Sequence, residues 1–152
     1  RYPEAFQKAF GEPTAESFRR ALRKGRDTYI AEACWHCHSQ FVRPVSNEDQ
    51  RFGKVSWAAE YRNEMFLPHL FGTRRVGPDL IRESGRHSND WHAAHFFDPT
   101  LVSPASVMPR YSWFFDGDTP NQTGLAVITY MQWLGSWATP EALARAEQEK
   151  AQ

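Results

Sequence analysis

The residues Cys34-Trp35-His36-Cys37-His38 spell the pattern C-x-x-C-H, and the chain of 152 residues holds no other cysteine. This pattern is the attachment signature of a c-type haem. Two thiols three positions apart lie on one helical turn, so each can add across a vinyl group of the same porphyrin. The histidine directly after the second thiol then directs its imidazole at the iron. The motif therefore predicts one covalent haem c, bound through Cys34 and Cys37, with His38 as an axial iron ligand.

A C-x-x-C pair also occurs in thioredoxin-like redox proteins and as one half of a zinc site. A zinc site normally takes a second pair of ligands, and the sequence has no further cysteine to supply one. A thioredoxin-like pair follows a strand and opens a helix, whereas residues 27–33 already have a helical pattern. The residues around the motif therefore favour haem attachment over both alternatives.

The composition agrees with a chain that encloses a porphyrin. Aromatic residues make up 14% of the sequence, with 6 tryptophans and 11 phenylalanines, and flat apolar walls suit the flat apolar faces of a haem. Lysine and arginine number 18, as do aspartate and glutamate, so the charge balance gives no argument for nucleic acid or a membrane surface. We therefore expect a single domain without a nucleic-acid partner.

The sequence contains no membrane-spanning pattern. No apolar run approaches the ~20 residues that a spanning helix needs, and the chain does not start with a signal peptide. Haem is attached covalently on the outer side of the bacterial cytoplasmic membrane. We therefore expect a periplasmic location or the outer face of that membrane, with a signal or anchor removed ahead of Arg1.

Helical patterns lead into the motif, and an irregular stretch follows it. We predict a first helix over residues 15–24 and a second from about Arg26 into the motif. Residues 43–78 contain scattered prolines, glycines and aromatic residues and are predicted to form a long loop. Loops of this length are uncommon in compact domains unless they are functional, and here we expect them to wrap the cofactor.

Helical patterns return in the second half of the chain. Ser88 has the character of an N-cap for a short helix over residues 91–97, and a final helix is predicted over about residues 122–134. Helices that bracket haem-binding loops are typical of an all-α, class I cytochrome c-like domain. The predicted organisation is an N-terminal segment at residues 1–14, a mono-haem domain at residues 15–137 and a polar tail at residues 138–152.

Several side chains are candidates for the second axial position on the iron. They are Met65, Met108, Met131, His69, His87, His92 and His95. Met131 lies on the apolar stripe of the final helix, where core packing accounts for it, and Met65 precedes Gly77-Pro78, on the histidine side in class I chain order. Met108 stands in a loop, followed by Pro109, and has little structural reason to be there. We therefore predict Met108 as the sixth ligand, with a histidine as the alternative.

The histidines have other interpretations. Surface exposure or hydrogen bonding near the site accounts for His87, His92 and His95. His92 and His95 share one helix face, which is compatible with a metal site, but no acidic or cysteine partner stands at ligand spacing. The signal for a separate metal is weak.

The run Gly77-Pro78-Asp79-Leu80 has a mechanical interpretation. In class I cytochromes a proline carbonyl commonly accepts the N–H of the proximal histidine, which fixes the ring and raises its basicity. Pro78 is predicted to fill this role, and Gly77 would let the backbone approach the haem closely. An ordinary turn is the alternative.

Extended motifs beyond C-x-x-C-H carry a family resemblance over residues 25–134. They are Gly25-Arg26-Asp27-x-Tyr29, Cys34-x-x-Cys37-His38-Ser39-Gln40-x-x-Arg43-Pro44, Gly77-Pro78-Asp79-Leu80, Gly85-Arg86-x-Ser88-x-x-Trp91-His92-x-x-His95 and Met108-Pro109-x-Tyr111-x-Trp113. In these runs the chain resembles the membrane-anchored mono-haem cytochrome c subunit of cbb-type haem–copper oxidases. The resemblance implies thioether bonds at Cys34 and Cys37, axial His38 and Met108, and redox protein partners that include a membrane oxidase complex. It also implies that Arg43, Tyr111 and Trp113 lie near the haem propionates or a partner surface.

Two classes of function are compatible with these residues. An electron-transfer module has a six-coordinate iron and no small-molecule substrate. A haem enzyme, such as a peroxidase or a small-ligand reductase, needs an open iron position. A methionine at the sixth position favours electron transfer, because it raises the potential and blocks access to the iron.

Overall fold

The fold is built from helices joined by long connections, and the computed structural model describes residues 2–72 and 74–150. The helices are α1 (Tyr2–Phe10), α2 (Ala15–Ala31), α3 (Cys34–Cys37), α4 (Glu48–Phe52), α5 (Asn89–Phe97), α6 (Gln122–Trp133) and α7 (Pro140–Lys150). Short 3-10 turns lie at Ala58–Tyr61, Glu64–Phe66, Pro99–Leu101 and Ser112–Phe114. Strands β1 (Phe115–Asp116) and β2 (Thr119–Pro120) pair antiparallel, Phe115 opposite Pro120. The predicted all-α, cytochrome c-like class is confirmed.

The prediction of two separate helices around residues 24–26 is wrong. One continuous helix, α2, begins after the N-cap Thr14, whose hydroxyl accepts the Ser17 backbone N–H at 3.1 Å in a capping box. Gly25 stays inside the helix because α6 crosses α2 at this point. A Cβ at position 25 would stand 2.2 Å from the carbonyl oxygen of Ala126. The glycine therefore marks a close helix crossing and not a helix end.

The crossing of α2 and α6 forms the centre of the core. Tyr29 of α2 and Tyr130 of α6 are both fully buried, and their rings meet edge to face at 5.5 Å. Leu22, Val127 and Phe114 join the same apolar cluster.

The segment predicted as a long loop is anchored by short helical turns and aromatic contacts. Phe66 is 2% exposed and stacks on Trp133 of α6 at 5.5 Å, while Tyr61 meets Phe66 edge to face at 5.4 Å. The hydroxyl of Tyr61 donates to the backbone carbonyl of Gln40 at 2.8 Å. The segment is thereby fixed against both α6 and the residues after the motif.

The two predicted later helices are present. Ser88 caps α5, accepting the backbone N–H of Trp91 at 3.1 Å, and the helix starts at Asn89, directly after the predicted N-cap. Asn121 caps α6 through its side-chain oxygen. The chain ends also form helices, α1 and α7. Among the described residues, no helix combines the length and the apolar character that crossing a membrane requires.

Candidate haem-binding site

The cysteine pair lies on its own helical turn at the end of α2. Ala33 adopts a left-handed conformation with φ of 54°, which separates α2 from α3. The backbone N–H of His38 then closes the turn on the carbonyl of Cys34 at 2.9 Å. Cys34 is partly buried, Cys37 is exposed, and neither is in a disulfide. The two thiols are therefore one turn apart and chemically free.

The axial candidate His38 is held by the Gly-Pro-Asp-Leu loop. Its Nδ1 lies 2.8 Å from the carbonyl oxygen of Pro78. A carbonyl only accepts hydrogen bonds, so Nδ1 carries the proton and the lone pair of the ring is on Nε2. A Cβ at Gly77 would stand 2.2 Å from Cε1 of His38, so only glycine permits this approach. The arrangement fixes both the tautomer and the direction of the ring.

The electrostatics of the site keep this ring neutral. Burial lowers the pKa of the His38 imidazole, while the Pro78 carbonyl and the Asp79 carboxylate act in the opposite direction. Because the net effect is downward, the neutral form dominates at neutral pH. A neutral imidazole with a free Nε2 is the form that binds a metal ion.

The Cys34 thiol is in a different environment from an exposed cysteine. Burial raises the pKa of this thiol to about 12, and the nearby Glu32 carboxylate adds to the rise. The hydroxyl of Tyr111 donates a hydrogen bond to the sulfur, which acts in the opposite direction. Cys34 is therefore a protonated, apolar thiol at neutral pH, next to a buried tyrosine.

Tyr111 and Trp113 fasten a later segment of the chain to the motif. Tyr111 is 7% exposed and meets the ring of Trp113 edge to face at 5.3 Å. The indole Nε1 of Trp113 donates to the Glu32 carboxylate at 2.9 Å, while its ring is 54% exposed. These contacts bring residues 111–113 against the end of α2 and the first cysteine of the motif.

Met108 belongs to the same segment as Tyr111 and Trp113. It precedes Tyr111 by three residues, so about 11 Å of extended chain is the most that separates their Cα atoms. Its side chain is partly buried against the core cluster that also contacts Cys34 and Trp35. Of the other methionines, Met131 is 3% exposed within α6, and Met65 packs on the core from the turn at Glu64–Phe66.

The histidines occupy distinct positions. His69 is exposed and stacks on Phe71 at 4.9 Å, and His87 hydrogen-bonds the buried Glu83. The ring of His92 is 3% exposed. Nδ1 of His95 is buried without a partner in the described structure, and His95 is electrostatically coupled to His38. Within residues 2–72 and 74–150 no group of three histidine, cysteine or acidic side chains is arranged to hold a metal ion.

A match to a protein-family model over most of the chain identifies its family. The FixO family model, described as cytochrome c oxidase, mono-heme subunit, matches residues 14–152. The chain belongs to the FixO family. FixO proteins are mono-haem cytochrome c subunits of cbb3 oxidases that take part in respiratory electron transfer, so the family resemblance drawn from the sequence is confirmed. A search of individually curated proteins gave no match.

The geometry fits the haem c that FixO membership implies. The neutral imidazole of His38 has Nδ1 bonded to the Pro78 carbonyl, and Gly77 lets the loop backbone lie against the ring where a Cβ would overlap it. Cys34 and Cys37 are free for thioether formation. The residues present are therefore those that a haem c requires.

Arg43 and Asp79 form ion pairs and hydrogen bonds in the segment that follows the motif. The Arg43 guanidinium, about half exposed, pairs with the buried Glu48 carboxylate at 2.6 Å. Asp79 is 1% exposed and accepts hydrogen bonds from the Ser39 hydroxyl and the Phe41 backbone N–H at 2.6 and 2.7 Å. No role for Asp79 was predicted from the sequence. Its position directly after Pro78 was the available signal, because a buried carboxylate needs hydrogen-bond partners and here takes them from the segment after His38.

Proposed function

We propose that this FixO-family chain binds one haem c through thioether bonds at Cys34 and Cys37, with His38 and Met108 as axial ligands. The single observation that supports this most directly is the 2.8 Å contact between His38 Nδ1 and the Pro78 carbonyl. That contact leaves Nε2 as the ring's only lone-pair donor. The bound haem supplies a reversible one-electron couple between ferric and ferrous iron.

The residues around the proposed haem act by position and not by proton transfer. His38 keeps a fixed tautomer because its Nδ1–H is bonded to the Pro78 carbonyl. The Met108 thioether is a soft ligand that stabilises ferrous iron and raises the potential. With both axial positions filled, the site takes electrons and excludes small-molecule substrates. The chain therefore acts in electron transfer and not as an enzyme on its own.

The partners of this chain are redox proteins, among them the membrane core of a cbb3 oxidase. The proposal rests on the match to the FixO family over residues 14–152. Haem c is attached on the outer side of the bacterial cytoplasmic membrane, so the haem domain works on the periplasmic side. With haem bound, the site would accept one electron from a redox protein and pass it on to the oxidase core.

Absorption spectra of the purified protein, oxidised and reduced, with and without carbon monoxide, test this function. We expect a low-spin spectrum in both states and no change when carbon monoxide is added to the reduced protein. Carbon monoxide binding by the unaltered protein would show an open iron position and favour the haem-enzyme alternative.

Denaturing electrophoresis followed by haem staining tests the covalent attachment. We expect the stain to remain on the polypeptide, and Cys34→Ala or Cys37→Ala to impair haem attachment. Extraction of the haem by acid and organic solvent from the unaltered protein would contradict the thioether bonds.

A further inference from the structure

Asp79 joins the segment after the histidine to the loop that orients it. Its Oδ2 accepts from the Ser39 hydroxyl and the Phe41 backbone N–H, and its Oδ1 accepts from the Ile81 backbone N–H at 2.9 Å. The backbone N–H of Leu80 also donates to the Ser39 carbonyl at 2.9 Å. Because Ser39 follows His38 and Asp79 follows Pro78, this carboxylate fixes the two partners of the axial hydrogen bond relative to each other.

Arg75 connects the same two segments through its guanidinium group. Nε donates to the Ser39 hydroxyl at 2.7 Å and Nη2 to the Phe41 carbonyl at 2.6 Å. Nη2 also lies 3.6 Å from Oδ2 of Asp79, and Nη1 pairs with the Glu48 carboxylate. The side chain is 15% exposed. A rigid planar fork with several donors can make these contacts together, whereas a lysine ammonium cannot.

Arg75 also balances two buried negative charges, of which Asp79 acts on the imidazole of His38. The side chains of Asp79 and Glu48 are 0% and 7% exposed. Burial raises the pKa of Glu48, but hydrogen bonds from Arg43 and Arg75 outweigh it and bring this pKa to about 2. The Asp79 charge is felt at the imidazole, where it raises the pKa of His38. Within residues 2–72 and 74–150, Arg75 is the one cation that pairs with Asp79 within 4.0 Å, so its loss would leave this buried carboxylate without an ion pair there.

We propose that Arg75 is a positioning residue for the axial histidine. It holds Asp79, and through Asp79 the Pro78 carbonyl, against the segment that follows His38. Its positive charge offsets the negative charge of the Asp79 carboxylate near the histidine. The proposal rests on His38 being the haem ligand. Loss of Arg75 therefore loosens the hydrogen bond at His38. It also leaves net negative charge nearby, and this charge stabilises ferric iron relative to ferrous iron.

The test compares Arg75→Gln with Arg74→Gln in the haem-loaded protein. Arg74 is exposed and adjacent, so its substitution removes the same charge without touching the network. We measure the midpoint potential, and by NMR the solvent exchange of the His38 Nδ1 proton. For Arg75→Gln we expect a potential lower by about 59 mV, a tenfold shift toward the oxidised form. We also expect proton exchange about tenfold faster, with little change in either quantity for Arg74→Gln.

Arg75→Lys distinguishes the effect of the positive charge from that of the hydrogen-bond geometry. It also replaces Arg75→Gln in the test if that variant does not fold. It retains the positive charge but loses the fork, so we expect faster exchange at His38 with a smaller change in potential. Exchange rates in Arg75→Lys and Arg75→Gln equal to that of Arg74→Gln would overturn the proposal. A wild-type protein without a histidine-ligated haem would instead overturn the proposed function, and its spectrum shows this before any variant is made.

Discussion

Gly77 lies so close to the imidazole of His38 that a methyl group in its place would overlap the ring, with 2.2 Å to Cε1 and 2.7 Å to both nitrogens. Gly77→Ala is therefore expected to push the ring off the Pro78 carbonyl and weaken the axial bond. The visible spectrum of the oxidised protein should gain high-spin character. Val76→Ala, at a neighbouring side chain that is 58% exposed, is the control and should leave the spectrum unchanged. A normal low-spin spectrum for Gly77→Ala would contradict the placement of His38.

Met108→Ala is expected to open the iron. The variant should bind carbon monoxide in the reduced state and have a lower potential, because a thioether favours ferrous iron. Met65→Leu and Met131→Leu replace packing residues with a similar volume and should cost less than about 1.5 kcal/mol of stability, with an unchanged spectrum. If Met108→Ala stays low-spin at the same potential, the ligand is a histidine. His95, with its unpartnered buried Nδ1, is then the next to substitute.

Acid should destabilise the protein through His92. Burial, together with the neighbouring His87 and His95, lowers the pKa of His92 to about 4. The unfolded chain, with an ordinary value of about 6.5, therefore binds the proton more readily than the folded protein. The contribution of neutral His92 to the free energy of unfolding is complete above pH 6.5. It is lost as the pH falls toward 4, and the loss is roughly 3 kcal/mol at most. Urea unfolding at pH 7.5 and pH 4.5 measures it, and His92→Phe should reduce the difference. An equal difference in the variant would assign the acid sensitivity to other groups.

Gly25→Ala is expected to destabilise the fold although alanine is the better helix former. The added methyl group would overlap the backbone of Ala126 and the Cβ of Tyr130, at 2.2 and 2.8 Å. Forcing α6 away should cost roughly 1–3 kcal/mol or more, since overpacked cores lose that much. Thermal unfolding measures the loss. Ala31→Gly, at an exposed position near the end of the same helix, controls for helix propensity alone. A variant as stable as the wild type would show that the two helices are not held this close.

The sequence predicted the features that neighbouring residues determine and missed those that depend on distant ones. The attachment motif is five consecutive residues, and the Ser88 cap acts on Trp91 three positions later, so both were recognisable locally. The predicted break between residues 24 and 26 was wrong because the helix continues through Gly25, where it packs against the backbone of Ala126, far along the chain.

In the candidate site, too, the residues that lie close together in sequence were predicted and those that depend on distant contacts were missed. The two cysteines and His38 follow from spacing, and the role of Pro78 followed from the family resemblance. Arg75 was overlooked because arginine is usually exposed, and nothing near it in sequence indicates that its guanidinium is mostly buried against Ser39 and the Phe41 carbonyl. Charge pairing of this kind depends on which segments meet, and a single sequence does not record that.

The hydrogen bond between His38 and Pro78 spans 40 positions of the chain, whereas the attachment motif spans five. Thioether chemistry can thus proceed on a short peptide, but orientation of the axial ring has to wait until the intervening loop closes and its entropy is lost. A haem joined to a nascent or partly unfolded chain would face an imidazole that rotates freely. On the proposed haem binding, the electronic character of the iron would therefore report the completion of folding, and maturation would have two separable stages: attachment of the haem, and then orientation of its histidine ligand.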